Sequence, residues 1–393
     1  MTRPILSGAA LLWPILAAGC GDVLLGLADT LDGLSGGLRT VGGCLNPVEY
    51  TDLTDVLAIA PPAGWDQGVV PLTDAAQPAV EAFFASRLEA DVAPRWYQNE
   101  RLFRLTCPPG DRAVQLEFLD ASVDWAHVYD DEGFEIASLR SCDFEGRLRR
   151  VVLPPSGSAH LVIRLVLVRP GGSGRVLAGL AEVPAEDAGL PRAQHVVLNM
   201  GGAAGIRMRG GTLVPTDVWP VSDPVVREAV VRTFREIYAP CDLRVSTDAD
   251  PAPPAPYSVV HIGTADPPLG HNGLSEWVDG LNRQPDDIAI VDLGSRHLGL
   301  AGLLGPEVLG TAAGLVAAHE VGHLLGLWHS LDTDDLMTGV GCEGAGLDLE
   351  RLLARRFRPA ALESSFAAGR YHALGRQDPE SVLQRVVGPA AQP

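Results

Sequence analysis

The chain contains no lysine at all, so each of its 30 basic residues is an arginine, against 49 aspartates and glutamates. The formal charge is −19, and no basic stretch is long enough to follow a phosphate backbone. Nucleic acid and an anionic membrane surface are therefore poor candidates as partners. Internal repeats are missing as well. The overall composition, with 46% hydrophobic and 20% charged residues, is typical of a folded globular protein.

The first 20 residues have the features of an export signal. Arg3 is their only charge, and the apolar run 5–18 that follows is shorter than the roughly 20 residues of a membrane span. Ala17-Ala18-Gly19-Cys20 then resembles a bacterial lipoprotein cleavage box, in which Cys20 becomes the lipidated first residue. We expect a cell-envelope lipoprotein that contacts the membrane only through Cys20, or a secreted protein cleaved after the same small residues.

A chain of 393 residues is longer than those that usually fold around a single hydrophobic core. We therefore expect a multidomain α+β chain with two folded domains. Val114, Leu116 and Phe118 alternate with polar residues, and 161–168 is apolar and rich in β-branched residues, a pattern typical of strands in a β-sandwich. The predicted parts are a signal at 1–20, a tether and N-terminal region at 21–95, a β-sandwich accessory domain at 96–184, an α/β domain at 192–376 and a C-terminal tail at 377–393.

Within the second domain, strands and helices alternate as in an α/β sandwich with one sheet. Asp223 and Pro224 have the residue types of an N-cap and first helical position, so a helix is predicted from there to about Tyr238. A second, long helix is predicted to begin at Gly305-Pro306-Glu307. Strands are predicted at 196–200, 243–247, 257–262 and 288–293.

Five cysteines remain after Cys20, and in an oxidising compartment we expect most of them to pair. Cys107 with Cys142 is the first pairing to consider and Cys241 with Cys342 the second, which leaves Cys44 over. The connectivity stays open because sequence alone does not fix it.

Three histidines and one glutamate have the spacing of a metal site. On a helix His319 and His323 lie four residues apart and share one face, and Glu320 beside them reaches a water bound at the same point. Gly326 allows the chain to leave the helix through a left-handed turn, after which His329 returns as a third ligand. Zinc suits three imidazoles because it keeps a fourth position open for water. The sequence therefore predicts one catalytic Zn²⁺.

The helix around these residues is apolar nearly all round, which is typical of a buried helix. Burying His319, Glu320 and His323 without partners is costly, whereas a metal ion satisfies them. The alternative is a core in which the histidines are only hydrogen-bonded, but it leaves Glu320 unexplained. His261, His271 and His297 lack ligand spacing and are interpreted as ordinary residues.

At this point the chain resembles the metzincin clan of zinc endopeptidases, whose long motif is matched by His319, Glu320, His323, Gly326 and His329. The clan places a methionine turn beneath the metal, and Met337 fits it. Ser330 after the third histidine resembles the matrixin branch. Several branches have a tyrosine after the methionine, where Thr338-Gly339 stands here, so no such role is assigned.

The resemblance covers roughly 195–376. It implies a sheet-bearing subdomain, a cleft across the zinc, a smaller C-terminal subdomain and protein or peptide substrates. Glu320 is expected to act as general base and acid, and Gly326 and Met337 as structural support. A substrate is expected to add as a strand along 273–278, with 339–344 lining the pocket for the side chain after the scissile bond.

Two further readings stay open. The first is a non-proteolytic, zinc-containing binding or adhesion lipoprotein, for which loss of the glutamate would have been the sign. The second is calcium at the acidic runs 130–132 and 332–335, where solvated turns are favoured because neither has a recognisable loop spacing.

Cys107 with its following prolines superficially resembles a latency switch, but a disulfide is favoured there. The oligomeric state is left undetermined.

Overall fold

The protein is described by a computed structural model that covers most of the second predicted domain and separate strands of the first. The signal, Cys20, Cys44, Cys107, Cys142 and Cys342 lie outside the described residues. The described residues are 69–71, 100–106, 114–118, 123–130, 133–140, 150–153, 160–167, 175–180, 191–209, 215–330, 332–339, 349–361 and 376–390.

Among the described residues, the N-terminal region forms two four-stranded antiparallel sheets. One has the order β1-β8-β3-β6 and the other β2-β7-β4-β5. Strands are therefore confirmed where the sequence predicted them, with the described residues 161–167 central in their sheet, while the β-sandwich arrangement stays a prediction. The strands are β1 (Val69–Pro71), β2 (Glu100–Thr106), β3 (Val114–Phe118), β4 (Val123–Tyr129), β5 (Glu135–Arg140), β6 (Arg150–Leu153), β7 (His160–Leu167) and β8 (Arg175–Leu180).

Among the described residues the second region is built on one sheet, as the alternating pattern predicted, and this sheet has seven strands rather than the four that were placed from the sequence. Strand β13 pairs in parallel with β9 and β15, β12 pairs in parallel with β9, and β14 adds antiparallel to β15 at the edge. Strand β11 pairs antiparallel with the C-terminal end of β13, and β10 pairs antiparallel with β11. The strands are β9 (Gln194–Asn199), β10 (Ala203–Ile206), β11 (Thr216–Trp219), β12 (Leu243–Thr247), β13 (Ser258–Asp266), β14 (Gly273–Ser275) and β15 (Ile288–Asp292).

Five helices accompany this sheet among the described residues, and none of them has the length and apolarity that a bilayer crossing requires. A short two-stranded sheet, β16 (Ala360–Ala361) with β17 (Arg376–Gln377), lies near the C-terminus. The helices are α1 (Pro224–Ile237), α2 (Arg296–Leu303), α3 (Pro306–Leu324), α4 (Leu349–Ala354) and α5 (Pro379–Val387).

Helices α1 and α3 pack closely against each other. The N-cap of α1 is confirmed, because the Asp223 carboxylate accepts from the Val225 amide at 2.8 Å. On α3, a side chain at Gly310 would place its Cβ 2.6 Å from the Val226 carbonyl oxygen. Glycine at this position therefore lets the two backbones approach, and fixes α3 against the helix behind it.

The C-terminal segment belongs to the core, which differs from the tail assigned to 377–393. Helix α5 buries four apolar side chains in the same cluster as the sheet and α3, because they recur on one helix face. The tail assignment overlooked this stripe because it is only two turns long. The four are Val382, Leu383, Val386 and Val387.

Strand β5 of the N-terminal region touches the second region directly. A Cβ at Gly280 would lie 1.3 Å from the Ser138 carbonyl oxygen, so the two backbones are in contact. Ala126, Val128 and Ile136 share the hydrophobic core of the second region. The hairpin of β4 and β5 is thus packed as part of that core.

Cys241 is a free, buried thiol, which contradicts the predicted pairing with Cys342. Burial raises the pKa of Cys241 to about 11. The pairing had rested only on both cysteines lying in the C-terminal half of the chain, and such a sequence argument does not constrain distance.

Replacing Gly280 by alanine tests the contact between the two regions. The added methyl meets backbone rather than a mobile side-chain end, so Gly280→Ala is expected to lower the free energy of unfolding by about 1–3 kcal/mol or more in urea denaturation. Gly299→Ala is the matched control, since nothing lies within 4 Å of its Cβ position on α2. That control is expected to raise stability by up to about 1 kcal/mol. Equal stabilities of the two variants would show that Ser138 does not lie against Gly280.

Candidate metal centre

The three histidines of the motif converge on one point. The Nε2 atoms of His319 and His323 are 3.1 Å apart, and the Nε2 of His329 lies 3.2 Å from the first and 3.1 Å from the second. Helix α3 supplies His319 and His323 from its last two turns, and the chain beyond it supplies His329. The structure therefore brings together the residues that the spacing predicted.

Two of the rings are oriented by carbonyl groups. The Nδ1 of His319 donates to the Leu336 carbonyl oxygen at 2.8 Å, and the Nδ1 of His323 donates to the Leu327 carbonyl oxygen at 2.7 Å. A carbonyl only accepts, so each Nδ1 carries the proton and each Nε2 has a lone pair. Two lone pairs 3.1 Å apart do not hydrogen-bond each other. A cation is what satisfies them.

The donor set fits zinc. Three imidazole nitrogens are the ligands of many catalytic zinc sites, and tetrahedral ligands at zinc–nitrogen distances of 2.0–2.1 Å stand about 3.3 Å apart, close to the separations observed here. The triad is the one group of three histidine, cysteine, aspartate or glutamate side chains in the described part of the chain that is arranged to hold a metal ion. It is able to bind one ion.

Gly326 occupies the turn between the helix and His329. Its φ is +93°, which confirms the predicted left-handed conformation. A side chain would also be crowded here, because a Cβ would lie 3.2 Å from both the Asp279 carbonyl oxygen and the Gly280 Cα. The positive φ and this close approach both favour glycine at this position.

Met337 lies under the helix between the two histidines of α3. It is 1% exposed, and a Cβ at Gly322 would lie 2.6 Å from its sulfur. The Met337 carbonyl accepts from the Ser330 amide at 2.9 Å, which ties this turn to the residue after His329. The turn therefore supports the site by packing, and Gly322, which the motif left unspecified, is what lets Met337 approach.

Glu320 is buried beside the triad against the edge strand β14. A Cβ at Gly273 would lie 2.5 Å from the Glu320 Oε1. The Ser275 amide and hydroxyl interact with the carboxyl group. Strand β14 falls within the predicted edge 273–278, and the carboxyl group of Glu320 contacts this strand.

Burial controls the protonation of the site. Desolvation lowers the pKa of His319 to about 4 and that of His329 to about 3, and it lowers the pKa of His323 well below its ordinary value. All three rings are therefore neutral and ligand-competent at pH 7. Desolvation also raises the pKa of Glu320 to about 8, against the lowering effect of the Ser275 hydrogen bonds.

Other residues considered from the sequence lie apart from the triad. His261 contacts Asn199 at 3.0 Å and His297 contacts Asn272 at 3.3 Å. In the acidic run 332–335, Asp334 pairs with Arg351 and Asp335 accepts from the Arg358 amide. The run 130–132 is described only at residue 130, and 339–344 only at residue 339.

Two contacts of the site had no signal in the sequence. The Tyr238 hydroxyl donates to the Ala318 carbonyl at 2.8 Å and anchors the helix next to its first ligand. Gln377 contacts the backbone on both sides of Leu327. Tyr238 and Gln377 are both distant in sequence from the residues they contact, so no local sequence pattern predicts these contacts.

A comparison with protein-family models found a match that includes the histidine motif. Residues 279–343, less than half of the chain, match the family model for matrixin. No match was found among curated proteins.

Two solved structures are similar to the chain. An archaemetzincin from Methanopyrus kandleri is 13% identical, with 42% of this chain and 89% of that chain covered and a TM-score of 0.27. A zinc-dependent peptidase from Methanocorpusculum labreanum is 14% identical, with 42% and 95% covered and a TM-score of 0.25. Neither likeness is close enough to assign a fold or a function to this chain.

The matched segment contains all three histidines and Met337, and its match agrees with the donor geometry of the triad. The chain is thus similar to the matrixins over residues 279–343, and its histidine triad is consistent with that of a metzincin-type zinc metallopeptidase.

Proposed function

We propose that the protein is a zinc-dependent endopeptidase that works outside the cytoplasm. The observation that carries this proposal is the open, three-nitrogen donor set with a carboxylate next to it. A structural zinc site is normally closed by a fourth protein ligand, whereas a catalytic one has three protein ligands. His319, His323 and His329 would hold the ion, and Glu320 is the neighbouring carboxylate.

The residues divide the chemistry between them. A zinc ion, when bound, supplies Lewis acidity toward water and the substrate carbonyl. The three imidazoles are neutral and leave the charge of that ion uncompensated. The positive charge of a bound ion would lower the pKa of Glu320 and favour its ionised form at neutral pH. Glu320 would then accept the proton of a water molecule and pass it to the leaving amine, acting first as base and then as acid.

The substrate would lie along β14. This strand is antiparallel to β15 at the edge of the sheet and its Gly273 touches Glu320. An extended peptide added to such an edge is held by main-chain hydrogen bonds, which do not depend on its sequence. A glycine at the contact point keeps the approach to Glu320 free of a side chain.

Glu320→Gln tests the proposed base. The variant keeps the shape of the side chain and loses the proton acceptor, so we expect peptide hydrolysis to fall about 10²- to 10⁴-fold while one zinc per chain is retained. Cleavage of a peptide library is followed by mass spectrometry and zinc by metal analysis. Glu307→Gln is the matched control, because Glu307 is exposed at the start of the same helix and pairs with Arg232.

Undiminished cleavage by zinc-loaded Glu320→Gln would reject the role of Glu320. A folded, zinc-loaded wild-type protein that cleaves nothing in the library would reject the peptidase and favour the alternative, a non-proteolytic zinc-containing binding lipoprotein.

The proposed location is the cell envelope, through lipidation of Cys20. Expressed in a bacterial host, the wild-type protein is expected in the membrane fraction with incorporated fatty acid, and Cys20→Ser in neither. Cys44→Ser serves as the control and is expected to behave as the wild type. Fatty acid found in Cys20→Ser, or a wild-type protein without it, would contradict lipidation at Cys20.

A further inference from the structure

We propose that Gln377 is a positioning residue for the metal site, acting on His329 and His323 through the backbone of the turn at 326–328. The inference rests on the proposed metal-binding role of the triad. Gln377 lies in β17, about fifty positions after the histidines along the chain, and is 4% exposed.

The turn after α3 has to satisfy its own backbone groups. The Gly326 amide donates to the His323 carbonyl at 2.9 Å and the Leu327 amide to the Gly322 carbonyl at 2.8 Å, which closes the end of the helix. The next groups, the Gly326 carbonyl and the Trp328 amide, are bonded to a side chain from a distant part of the chain. Buried backbone groups of this kind need partners from elsewhere in the fold.

Gln377 supplies both partners with one side chain. Its Oε1 accepts from the Trp328 amide at 2.9 Å and its Nε2 donates to the Gly326 carbonyl at 3.1 Å. A planar carboxamide has a donor and an acceptor side by side, so it pairs with a backbone segment as a neighbouring strand would. The residue between the two bonded ones is Leu327.

Two of the three metal ligands depend on that turn. The Leu327 carbonyl accepts from the His323 Nδ1 at 2.7 Å, so the turn orients the His323 ring. His329 follows Trp328 directly, so the turn also determines where the third ring begins. The hydrogen bonds to Gly326 and Trp328 therefore fix the positions from which the His323 and His329 rings approach the metal site.

The backbone that carries Gln377 is held by strand pairing and by the packed helix that follows it. Its strand pairs with β16, and the Arg376 amide donates to the Gly133 carbonyl at 3.0 Å. Helix α5 follows at once and is packed in the core. On the other side of the turn, the Trp328 indole donates to the Ser138 hydroxyl at 2.9 Å. The turn is thus clamped between the C-terminal segment and strand β5.

The test measures metal binding by the full-length chain rather than hydrolysis. Gln377→Met keeps the volume of the side chain and removes both hydrogen bonds, and we expect it to weaken zinc binding about 10- to 100-fold in competition with a chelator. Gln377→Glu keeps the acceptor for Trp328 and loses the donor for Gly326, so an intermediate loss is expected. Gln384→Met, on the exposed face of α5, is the control and is expected to bind zinc as the wild type does.

A second readout follows the turn without any metal. The chain has seven tryptophans, so selective labelling with ¹⁵N-tryptophan gives few backbone amide signals, and Trp328→Phe identifies the one of interest. In the metal-free protein the Trp328 amide should be protected from hydrogen exchange. Protection should be lost in Gln377→Met and kept in Gln384→Met.

Zinc affinity and Trp328 protection equal to the wild type in Gln377→Met would overturn the proposal. Should that variant fail to fold, the same two measurements on Gln377→Glu decide it, with unchanged values again overturning it. Neither readout requires peptide cleavage. A protein that binds zinc in this way but cleaves nothing would therefore refute the peptidase and leave the role of Gln377 standing.

Discussion

The C-terminal end of helix α3 is the constraint on which the site depends. The helix has to stop directly after His323, and the chain has to reverse within a few residues for His329 to meet the other two rings. Gly326 makes the reversal sterically allowed, at a φ of +93°. The convergence of three Nε2 atoms within 3.2 Å is the result, and a cation is the partner that such a set of lone pairs requires.

Close backbone contacts then hold that helix end in place. Met337 packs against Gly322 beneath the helix, Gly326 lies against Gly280, and Gly280 in turn lies against Ser138 of strand β5. Each contact brings its neighbour close to the glycine backbone, so the helix end, the loop after β14 and the N-terminal hairpin form successive layers. Because packed layers of this kind deform little, the ligands are preorganised rather than gathered by the metal.

The local parts of this arrangement were predictable from the sequence. The four-residue spacing of His319 and His323, the left-handed Gly326 and the N-cap Asp223 each depend on a few neighbouring residues, and the structure has them where they were expected. Met337 followed from the family resemblance rather than from spacing.

The parts that escaped prediction depend on residues distant in sequence. Gln377 was assigned to the boundary of a tail, yet its side chain lies against the turn before His329. The pairing of Cys241 was wrong, because two cysteines in the same half of a chain need not be neighbours in space. Nothing in the sequence indicates that Glu320 approaches Gly273 or that Ser138 approaches Gly280. Contacts of this kind are not accompanied by any periodicity or capping pattern in the sequence.

X-ray absorption spectroscopy of the zinc-loaded, full-length protein tests whether His319, His323 and His329 together bind the metal. Coordination by the three histidines predicts four nitrogen or oxygen neighbours at about 2.0–2.1 Å, with the multiple scattering of three imidazoles and one light, non-imidazole neighbour. A sulfur neighbour at about 2.3 Å, or fewer than three imidazoles, would show that His319, His323 and His329 do not together form the metal site.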